Sequence, residues 1–94
     1  MDDSLLAPVI EAIRAGHLDE AEDACRKGAV ENSESPDPVH FLGVIASQRG
    51  QFSEAIAFYH QAIRLNPSQP SFYTNLGSAL YSSGSFNEAI EAFQ

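Results

Sequence analysis

Apolar residues recur along most of the chain at the spacing of amphipathic helices. Between residues 38 and 50 they fall on one face of a helix, and the run stops at Gly50. A second run ends at Asn66-Pro67, and its stripe consists of Ala55, Tyr59, Ala62 and Ile63. No segment alternates apolar and polar residues in the manner of a strand, and no Asn-Gly or Asp-Gly hairpin turn occurs. The pattern predicts an all-helical chain.

These runs repeat every 34 residues, which brings Gly16, Gly50 and Gly84 into line. Residues 36–60 and 70–94 share 8 identities in 25 positions, so two of the periods are clear. Each period predicts a pair of helices, and such a pair must stack on its neighbours to bury its apolar face. We therefore expect a single domain over 1–94, with a degenerate repeat at 2–35, a full repeat at 36–69 and a truncated repeat at 70–94.

Residues suited to helix ends recur at fixed points of the period. Asp37 is the predicted N-cap of its helix, with Pro38 at the first helical position. The predicted N-caps of the second helices are Asp19, Ser53 and Asn87. Asp19 and Glu22 are spaced as a capping box. Gly50 is the predicted left-handed cap at the end of a first helix.

Small residues alternate with bulky ones where the two helices of a pair should cross. Gly43 and Gly77 are predicted to face Ala55 and Ala89, which would allow the helix axes to approach closely. Tyr59 and Phe93 are predicted to supply the bulk beside these contacts. Cys25 occupies the same point of the first period, so we expect it to pack in the core.

This pattern resembles the tetratricopeptide repeat (TPR), whose signature is W-x2-L-G-x2-Y, A-x3-F and P. The second period matches it at Val39, Leu42, Gly43, Ala46, Ala55, Tyr59 and Pro67, and the third at Tyr73, Leu76, Gly77, Leu80, Ala89 and Phe93. The first departs, with Pro8 and Val9 in place of Leu-Gly. The resemblance implies a right-handed superhelical stack of antiparallel helical hairpins, about two and three-quarter repeats long. The chain is similar to the N-terminal TPR arms of larger bacterial proteins. Its third period stops about two turns into the second helix without a capping helix, so we expect the chain to be the start of a longer protein.

The charge of the chain limits which partners are expected, and its cysteine content indicates the cellular compartment. The formal net charge is −8, and residues 1–37 hold ten of the thirteen acidic side chains. Nucleic acids and anionic membranes require clustered Lys and Arg, so neither is an expected partner. One cysteine fits a reducing compartment, and no signal peptide or membrane-spanning run is recognised. We expect a cytoplasmic protein.

The sequence holds no recognisable catalytic or cofactor motif. The three histidines and Cys25 lack the short spacings of metal ligands, and no P-loop, dinucleotide fingerprint or nucleophile elbow occurs. The acids near Asp19 suit the positive end of a helix better than a cation site. We expect no catalysis, metal or cofactor within these residues.

The TPR resemblance implies that one face of each first helix lines a concave groove that binds extended peptides or partner helices. The implied groove residues are Asp37, His40, Val44, Ser47 and Gln48 in the second period and Ser71, Thr74, Asn75, Ser78 and Tyr81 in the third, with Ser82 beside them. The first period would contribute Asp3, Leu6, Ile10 and Ile13, unless these apolar side chains complete its core. An ordinary solvated helix face is the alternative interpretation. His40 would act as a pH switch near its usual pKa of about 6.5 if a ligand desolvated it.

Three functional hypotheses follow from this resemblance. The first is a module that binds a protein or peptide in the groove, although no cation is available for the carboxylate clamp of chaperone-binding TPR domains. The second is a substrate-recruiting arm of a transferase similar to bacterial O-GlcNAc transferases, since Asn75 matches one rung of their asparagine ladder. The third is a scaffold that forms homo-oligomers through its last, uncapped repeat.

Overall fold

The computed structural model describes the backbone of residues 3–93 and the side chains of residues 7–93. These residues form six helices and no strand. In chain order the helices are α1 (Asp3–Arg14), α2 (Leu18–Glu31), α3 (Pro36–Gln48), α4 (Phe52–Leu65), α5 (Pro70–Ser82) and α6 (Phe86–Phe93). The predicted all-α stack of helical hairpins is confirmed. None of the described helices is long and apolar enough to cross a membrane.

The helices pair in chain order and form two layers. Each odd-numbered helix packs against the even-numbered helix that follows it, and α2 and α4 also pack against the first helix of the next hairpin. Within the described residues, α3 contacts both α1 and α5, whereas α2, α4 and α6 do not contact one another. The odd-numbered helices are therefore crowded together while the even-numbered helices spread apart. This difference makes the α1–α3–α5 side the concave side of the stack.

The turn inside each hairpin is the same glycine-dependent motif. Gly16, Gly50 and Gly84 have φ values of 81°, 77° and 91°, which side chains disfavour. At the second hairpin, the Gly50 N–H donates to the Ser47 carbonyl and the Gln51 N–H donates to the Ala46 carbonyl, as in a Schellman motif. The other two turns repeat both hydrogen bonds. The predicted left-handed cap at Gly50 is confirmed.

The predicted N-caps of the second helices are wrong by two residues. The helices begin at Leu18, Phe52 and Phe86, so Asp19, Ser53 and Asn87 already lie inside the first turn. The physical reason is the shortness of the Schellman turn. Its last residue, such as Gln51, also accepts the first helical hydrogen bond, here from the Ala55 N–H. No room remains for a separate capping residue.

The start of α3 also differs from the expectation. The helix begins at Pro36 after Ser35, so Asp37 lies in the first turn rather than at the N-cap. Pro36 suits this position because its missing N–H has no partner inside the helix. Pro38 occupies the third helical position and removes an N–H that a capping hydroxyl could bind. The buried Ser35 Oγ has no hydrogen-bond partner.

Glycine in the first helix accommodates an aromatic ring from the second helix. A Cβ atom at Gly43 would lie 2.5 Å from Cε1 of Tyr59, and one at Gly77 would lie 2.6 Å from Cε1 of Phe93. The close partner of each glycine is therefore the ring, rather than Ala55 or Ala89 as the sequence suggested. In the first hairpin the sizes are reversed, because Val9 replaces glycine and the small Cys25 replaces the ring; both are buried in one cluster.

An arginine joins the first two hairpins on the outer side. Arg49 follows α3 and donates to the carboxylates of Asp19 and Glu22 on α2, the latter at 2.7 Å. Arg26 donates to the same Glu22 carboxylate. These bonds lower the pKa of Glu22, with the Arg49 hydrogen bond as the main cause. The predicted capping box is therefore wrong, because both acids point towards the next hairpin.

We expect the effects of substitutions at Gly43 and Tyr59 on the free energy of unfolding to be coupled. Gly43→Val should cost about 1–3 kcal/mol because the Tyr59 ring is buried and cannot move aside. Tyr59→Cys should cost about 3–5 kcal/mol through the cavity it leaves. The double variant reproduces the Val9–Cys25 pair, so it should be more stable than the sum of the two losses by about 1 kcal/mol or more. Urea unfolding followed by circular dichroism measures all three.

The matched control combines Tyr59→Cys with Gly77→Val. Gly77 faces the ring of Phe93 instead of Tyr59, so this pair should be additive within about 0.5 kcal/mol. Equal coupling in the two double variants would contradict a specific contact between Gly43 and Tyr59.

Candidate functional site

The concave surface of α3 and α5 contains the side chains that the sequence assigned to the groove, at different depths. The exposed ones are Gln48, Ser71, Thr74, Ser78 and Tyr81, and the half-buried ones are Asp37, Val44, Ser47 and Asn75. His40 is buried, with 8% of its surface exposed. The open part of the groove is therefore formed mainly by α5.

His40 is part of the interface between α3 and α5. Its ring lies 4.7 Å from the Phe72 ring centre and 5.7 Å from that of Tyr59. The Asn75 amide nitrogen lies 2.7 Å from His40 Nε2. Because an amide N–H can only donate, Nε2 must accept, and the neutral ring carries its proton on Nδ1. The two groove residues are thus paired with each other across the repeats.

Burial makes His40 a weak base. Desolvation lowers the pKa of His40 from 6.5 to about 4, and the nearby Asp37 carboxylate offsets only part of this effect. The expected pH switch near 6.5 is therefore wrong, because His40 is desolvated by the fold itself without a ligand.

Two hydroxyls of α5 donate within their own helix. Thr74 Oγ1 donates to the Pro70 carbonyl at 3.3 Å, and Ser78 Oγ donates to the Thr74 carbonyl at 3.0 Å. Each hydroxyl has one proton, so its oxygen lone pairs remain directed towards solvent. The α5 row therefore presents hydrogen-bond acceptors to the groove.

Two predicted groove residues of α3 are engaged with the core. Val44 packs against the cluster that contains Tyr59 and Leu76. Ser47 Oγ lies 3.2 Å from the Tyr59 hydroxyl, and the two share a hydrogen bond. Of the predicted groove residues of α3, Gln48 is the one with an exposed polar side chain, and the half-buried Asp37 lies at the opposite end of the helix.

The first hairpin adds little to this surface. Ile13 packs against the cluster of Val9 and Cys25, in line with the alternative that it completes the core. Ile10 is half-buried. The side chains of Asp3 and Leu6 lie outside the described residues.

Tyr81 lies at the end of the groove and has an aromatic neighbour that the sequence analysis missed. Its side chain is 63% exposed, and its ring contacts the Phe86 ring edge to face at 5.0 Å between centres. The sequence does predict the exposure of Phe86, because it matches the half-buried Phe52 but its hairpin has no following helix within residues 3–93; its contact with Tyr81 was not predicted. Tyr81 therefore connects the groove to a second exposed surface.

A hollow with mostly apolar walls adjoins the groove at Thr74. It measures about 430 Å³ and is lined partly by Pro67, Pro70, Tyr73 and Phe93. The Tyr73 hydroxyl donates to the Pro67 carbonyl at 2.8 Å and holds one wall in place. The hollow is large enough to receive an aliphatic or aromatic side chain.

Charge is sparse along this surface. Neither α3 nor α5 contains Lys or Arg, and Asp37 is the one acid in these two helices. Among the side chains of residues 7–93, no group of three or more His, Cys, Asp or Glu residues is arranged to hold a metal ion. The groove can therefore offer hydrogen bonds, aromatic faces and a single carboxylate.

Sequence comparison identifies the repeat. Residues 45–84 match the family described as TPR repeat. The Arabidopsis thaliana protein named TPR repeat-containing thioredoxin TTL4 is 37% identical over 65 residues, which is 69% of this chain and 9% of that protein. The chain thus spans less than a tenth of this relative's length. Together with the fold, these matches define a tetratricopeptide-repeat domain.

Solved structures of similar shape agree with this assignment. An O-GlcNAc transferase of Thermobaculum terrenum is similar with a TM-score of 0.89 and 28% identity, over 96% of this chain and 17% of that chain. The first TPR of Spaghetti (RPAP3), solved with an HSP90 peptide, has a TM-score of 0.88 and 22% identity, over 95% of this chain and 71% of that chain. At 22% identity, the similarity to the TPR of Spaghetti shows a shared fold.

We expect His40 to make the domain sensitive to mild acid. Between pH 6.5 and about 4 the unfolded chain binds a proton at His40 and the folded chain does not, so the free energy of unfolding should fall as the pH falls. Below about pH 4 both states are protonated and this contribution becomes constant. The total loss should be at most about 3.5 kcal/mol, at about 1.4 kcal/mol per unit of pKa difference. Urea unfolding at several pH values measures it.

His40→Phe should remove most of this slope, because the unfolded variant has no imidazole to protonate at this position. The matched control is His60→Gln, which removes an exposed histidine of α4 and should keep the slope of the unmodified chain. Parallel pH profiles for His40→Phe and the unmodified chain would show that another group causes the acid sensitivity.

Proposed function

We propose that the domain binds an extended, uncharged or mildly basic peptide segment along α3 and α5. The observation that carries this proposal is the row of exposed polar side chains on α5, Ser71, Thr74 and Ser78, which ends at Tyr81. Three adjacent polar positions and an aromatic ring form a continuous surface on the concave side. The fold supports the proposal, since the similar TPR of Spaghetti was solved with a peptide.

The hydrogen bonds of α5 favour a ligand that donates. Thr74 and Ser78 use their protons within the helix, and their oxygens can accept from a ligand. An extended peptide has unpaired backbone N–H groups, which are suitable donors. Gln48 can both donate and accept from the α3 side. Asn75 is less suited to ligand binding because its amide is paired with His40.

Apolar anchoring should add to these hydrogen bonds. A ligand side chain that enters the hollow beside Thr74 would contact Pro70 and Tyr73, and a second could stack on the Tyr81 ring. The groove lacks cations, so a C-terminal carboxylate would have no ionic partner there. Contacts of this kind correspond to a Kd of about 1 μM, near −8 kcal/mol.

A substrate-recruiting arm of a transferase is the second candidate function. The similarity to the Thermobaculum terrenum O-GlcNAc transferase favours it. The pairing of Asn75 with His40 weakens the argument from an asparagine ladder, because one amide N–H is already engaged and only the amide oxygen and the second N–H remain. A library screen in which most bound peptides carry Ser or Thr at one fixed position would favour this candidate over a general peptide module.

A self-associating scaffold is the third candidate function. The exposed rings of Phe86 and Phe93 at the last hairpin favour it, because exposed apolar patches promote association. Two carboxylates, Glu88 and Glu91, lie on the same helix and would repel those of a second copy. Sedimentation velocity at increasing concentration tests this candidate directly.

We expect the loss of two acceptors to weaken peptide binding without affecting the fold. Thr74→Val/Ser78→Ala keeps the size of both side chains and removes both oxygens, so affinity for the best peptide of a library screen should fall about tenfold, or about 1.4 kcal/mol. Affinity of the unmodified chain should change less than threefold between low and moderate salt, because few ion pairs are involved. Isothermal calorimetry measures both effects.

The matched control is Ser53→Ala, which removes an exposed hydroxyl from α4 in the outer layer. Its affinity should equal that of the unmodified chain. Unchanged binding by Thr74→Val/Ser78→Ala, or a steep loss of affinity with salt, would place the peptide on another surface and contradict the proposal.

A further inference from the structure

A second hollow, here called the polar hollow, lies at the starts of α3 and α5. Its volume is about 480 Å³. Residues 32–35 connect α2 to α3, and residues 66–69 connect α4 to α5. Both connections contribute to its wall, together with Asp37 of α3 and Phe72 of α5. Because Asp37 also belongs to the groove, the polar hollow adjoins the groove at this residue.

Negative charge is concentrated in the wall of the polar hollow. Glu34 and Asp37 line it, and no Lys or Arg does. Among the side chains of residues 7–93, the ion pairs involve Asp19, Glu20 and Glu22 but neither of these two acids. A cationic group of a ligand would therefore meet two carboxylates that no basic side chain of residues 7–93 neutralises.

Three side-chain amides add hydrogen-bond acceptors to the polar hollow. The Oδ1 atoms of Asn32 and Asn66 each accept a backbone N–H from two residues further on, at 3.3 and 3.1 Å. A carbonyl oxygen has two lone pairs, so each can accept one more hydrogen bond. The Gln69 amide donates through Nε2 to Ser71 Oγ, which leaves its Oε1 as an acceptor. These bonds orient the amides, so a donor from a ligand would find acceptors already in place.

A buried hydroxyl in the same wall lacks a partner. Ser35 lines the polar hollow, is 6% exposed, and its Oγ makes no hydrogen bond within the described residues. A buried polar atom without a partner costs free energy. This observation is independent of the two carboxylates, and it also favours a ligand that brings N–H groups into the polar hollow.

An arginine side chain matches these groups better than a lysine. The guanidinium carries a permanent charge and five N–H donors in one plane, and it has no acceptor. It can bind one carboxylate through two parallel hydrogen bonds and still donate to amide or hydroxyl oxygens. A lysine ammonium has three donors and no planar pair, so it would leave more of these acceptors without a partner.

We propose that the polar hollow binds an arginine side chain of the peptide that occupies the groove. This inference rests on the proposed function, and it specifies the basic residue of the ligand. The Gln69 amide bonds to Ser71, which begins the polar row of α5, and Tyr81 ends that row. These two residues are about 15 Å apart along the helix, which an extended chain spans in about four or five residues. The arginine and the residue that stacks on Tyr81 should therefore be separated by this number of positions.

The probe comes from a library of random octapeptides with acetylated and amidated ends. Most selected peptides should contain an arginine four or five positions from an aromatic or aliphatic residue. Replacing that arginine in the best peptide with citrulline keeps its shape and removes its charge, and this should weaken binding to the full chain tenfold or more. Replacing it with lysine should weaken binding threefold or more. Isothermal calorimetry measures the affinities.

Variants of the chain locate the arginine. For Glu34→Gln/Asp37→Asn, the arginine and citrulline peptides should bind within twofold of each other, because the carboxylates that distinguish them are gone. Glu34→Gln alone is the second variant in case the double one does not fold, and it should reduce the citrulline effect at least twofold. The matched control is Asp23→Asn/Glu54→Gln, which removes two exposed carboxylates from the outer layer and should keep the full tenfold difference.

Three results would overturn the proposal. They are selected peptides without arginine, equal binding of the arginine and lysine peptides, and a citrulline effect that is the same in the unmodified chain and in both hollow variants. The groove is tested separately, since Thr74→Val/Ser78→Ala should weaken the arginine and citrulline peptides by the same factor. If that variant binds normally while the hollow variants remove the citrulline effect, the groove proposal fails and the arginine site stands.

Discussion

The structure depends on the fit of an aromatic ring against a glycine inside each hairpin. The Tyr59 ring lies where a side chain of residue 43 would be, so α3 and α4 can pack with the ring between them. A ring in this position is almost fully buried and also reaches Ser47 through its hydroxyl. In the first hairpin, Val9 and Cys25 fill the corresponding space. What is preserved along the stack is the combined volume of the pair rather than the identity of either residue.

This contact has consequences on the concave side. With the ring of Tyr59 held against α3, His40 is surrounded by aromatic rings, and Asn75 of the next hairpin provides its polar partner. The pair connects two hairpins through a hydrogen bond of low solvent exposure, where such bonds are stronger than in water. It also withdraws two polar groups from the groove. The part that remains open to a ligand is thus shifted towards α5, with its acceptor hydroxyls and Tyr81.

Different side-chain chemistry is found on the outer side and at the end of the stack. Arg49 connects the first two hairpins by binding two acids of α2, and no arginine occupies the equivalent position of the third hairpin, where Ser83 stands. The acidic character of the first third is thus partly neutralised within the structure. The last hairpin has an exposed apolar stripe and carboxylates without basic neighbours. Surfaces of different chemistry therefore lie on adjacent sides of one small domain.

The sequence by itself determined the six helices, their pairing and the 34-residue period, because apolar spacing and left-handed glycines are local signals. It did not determine the helix starts, since the Schellman turn merges two caps into one residue such as Gln51. The burial of His40, its pairing with Asn75 and the bonds of Arg49 were decided by the tertiary structure alone. The hydrogen bonds of His40 and Arg49 join residues 27 to 35 positions apart, and a local pattern contains no information on which distant side chain will fill or neutralise a given position.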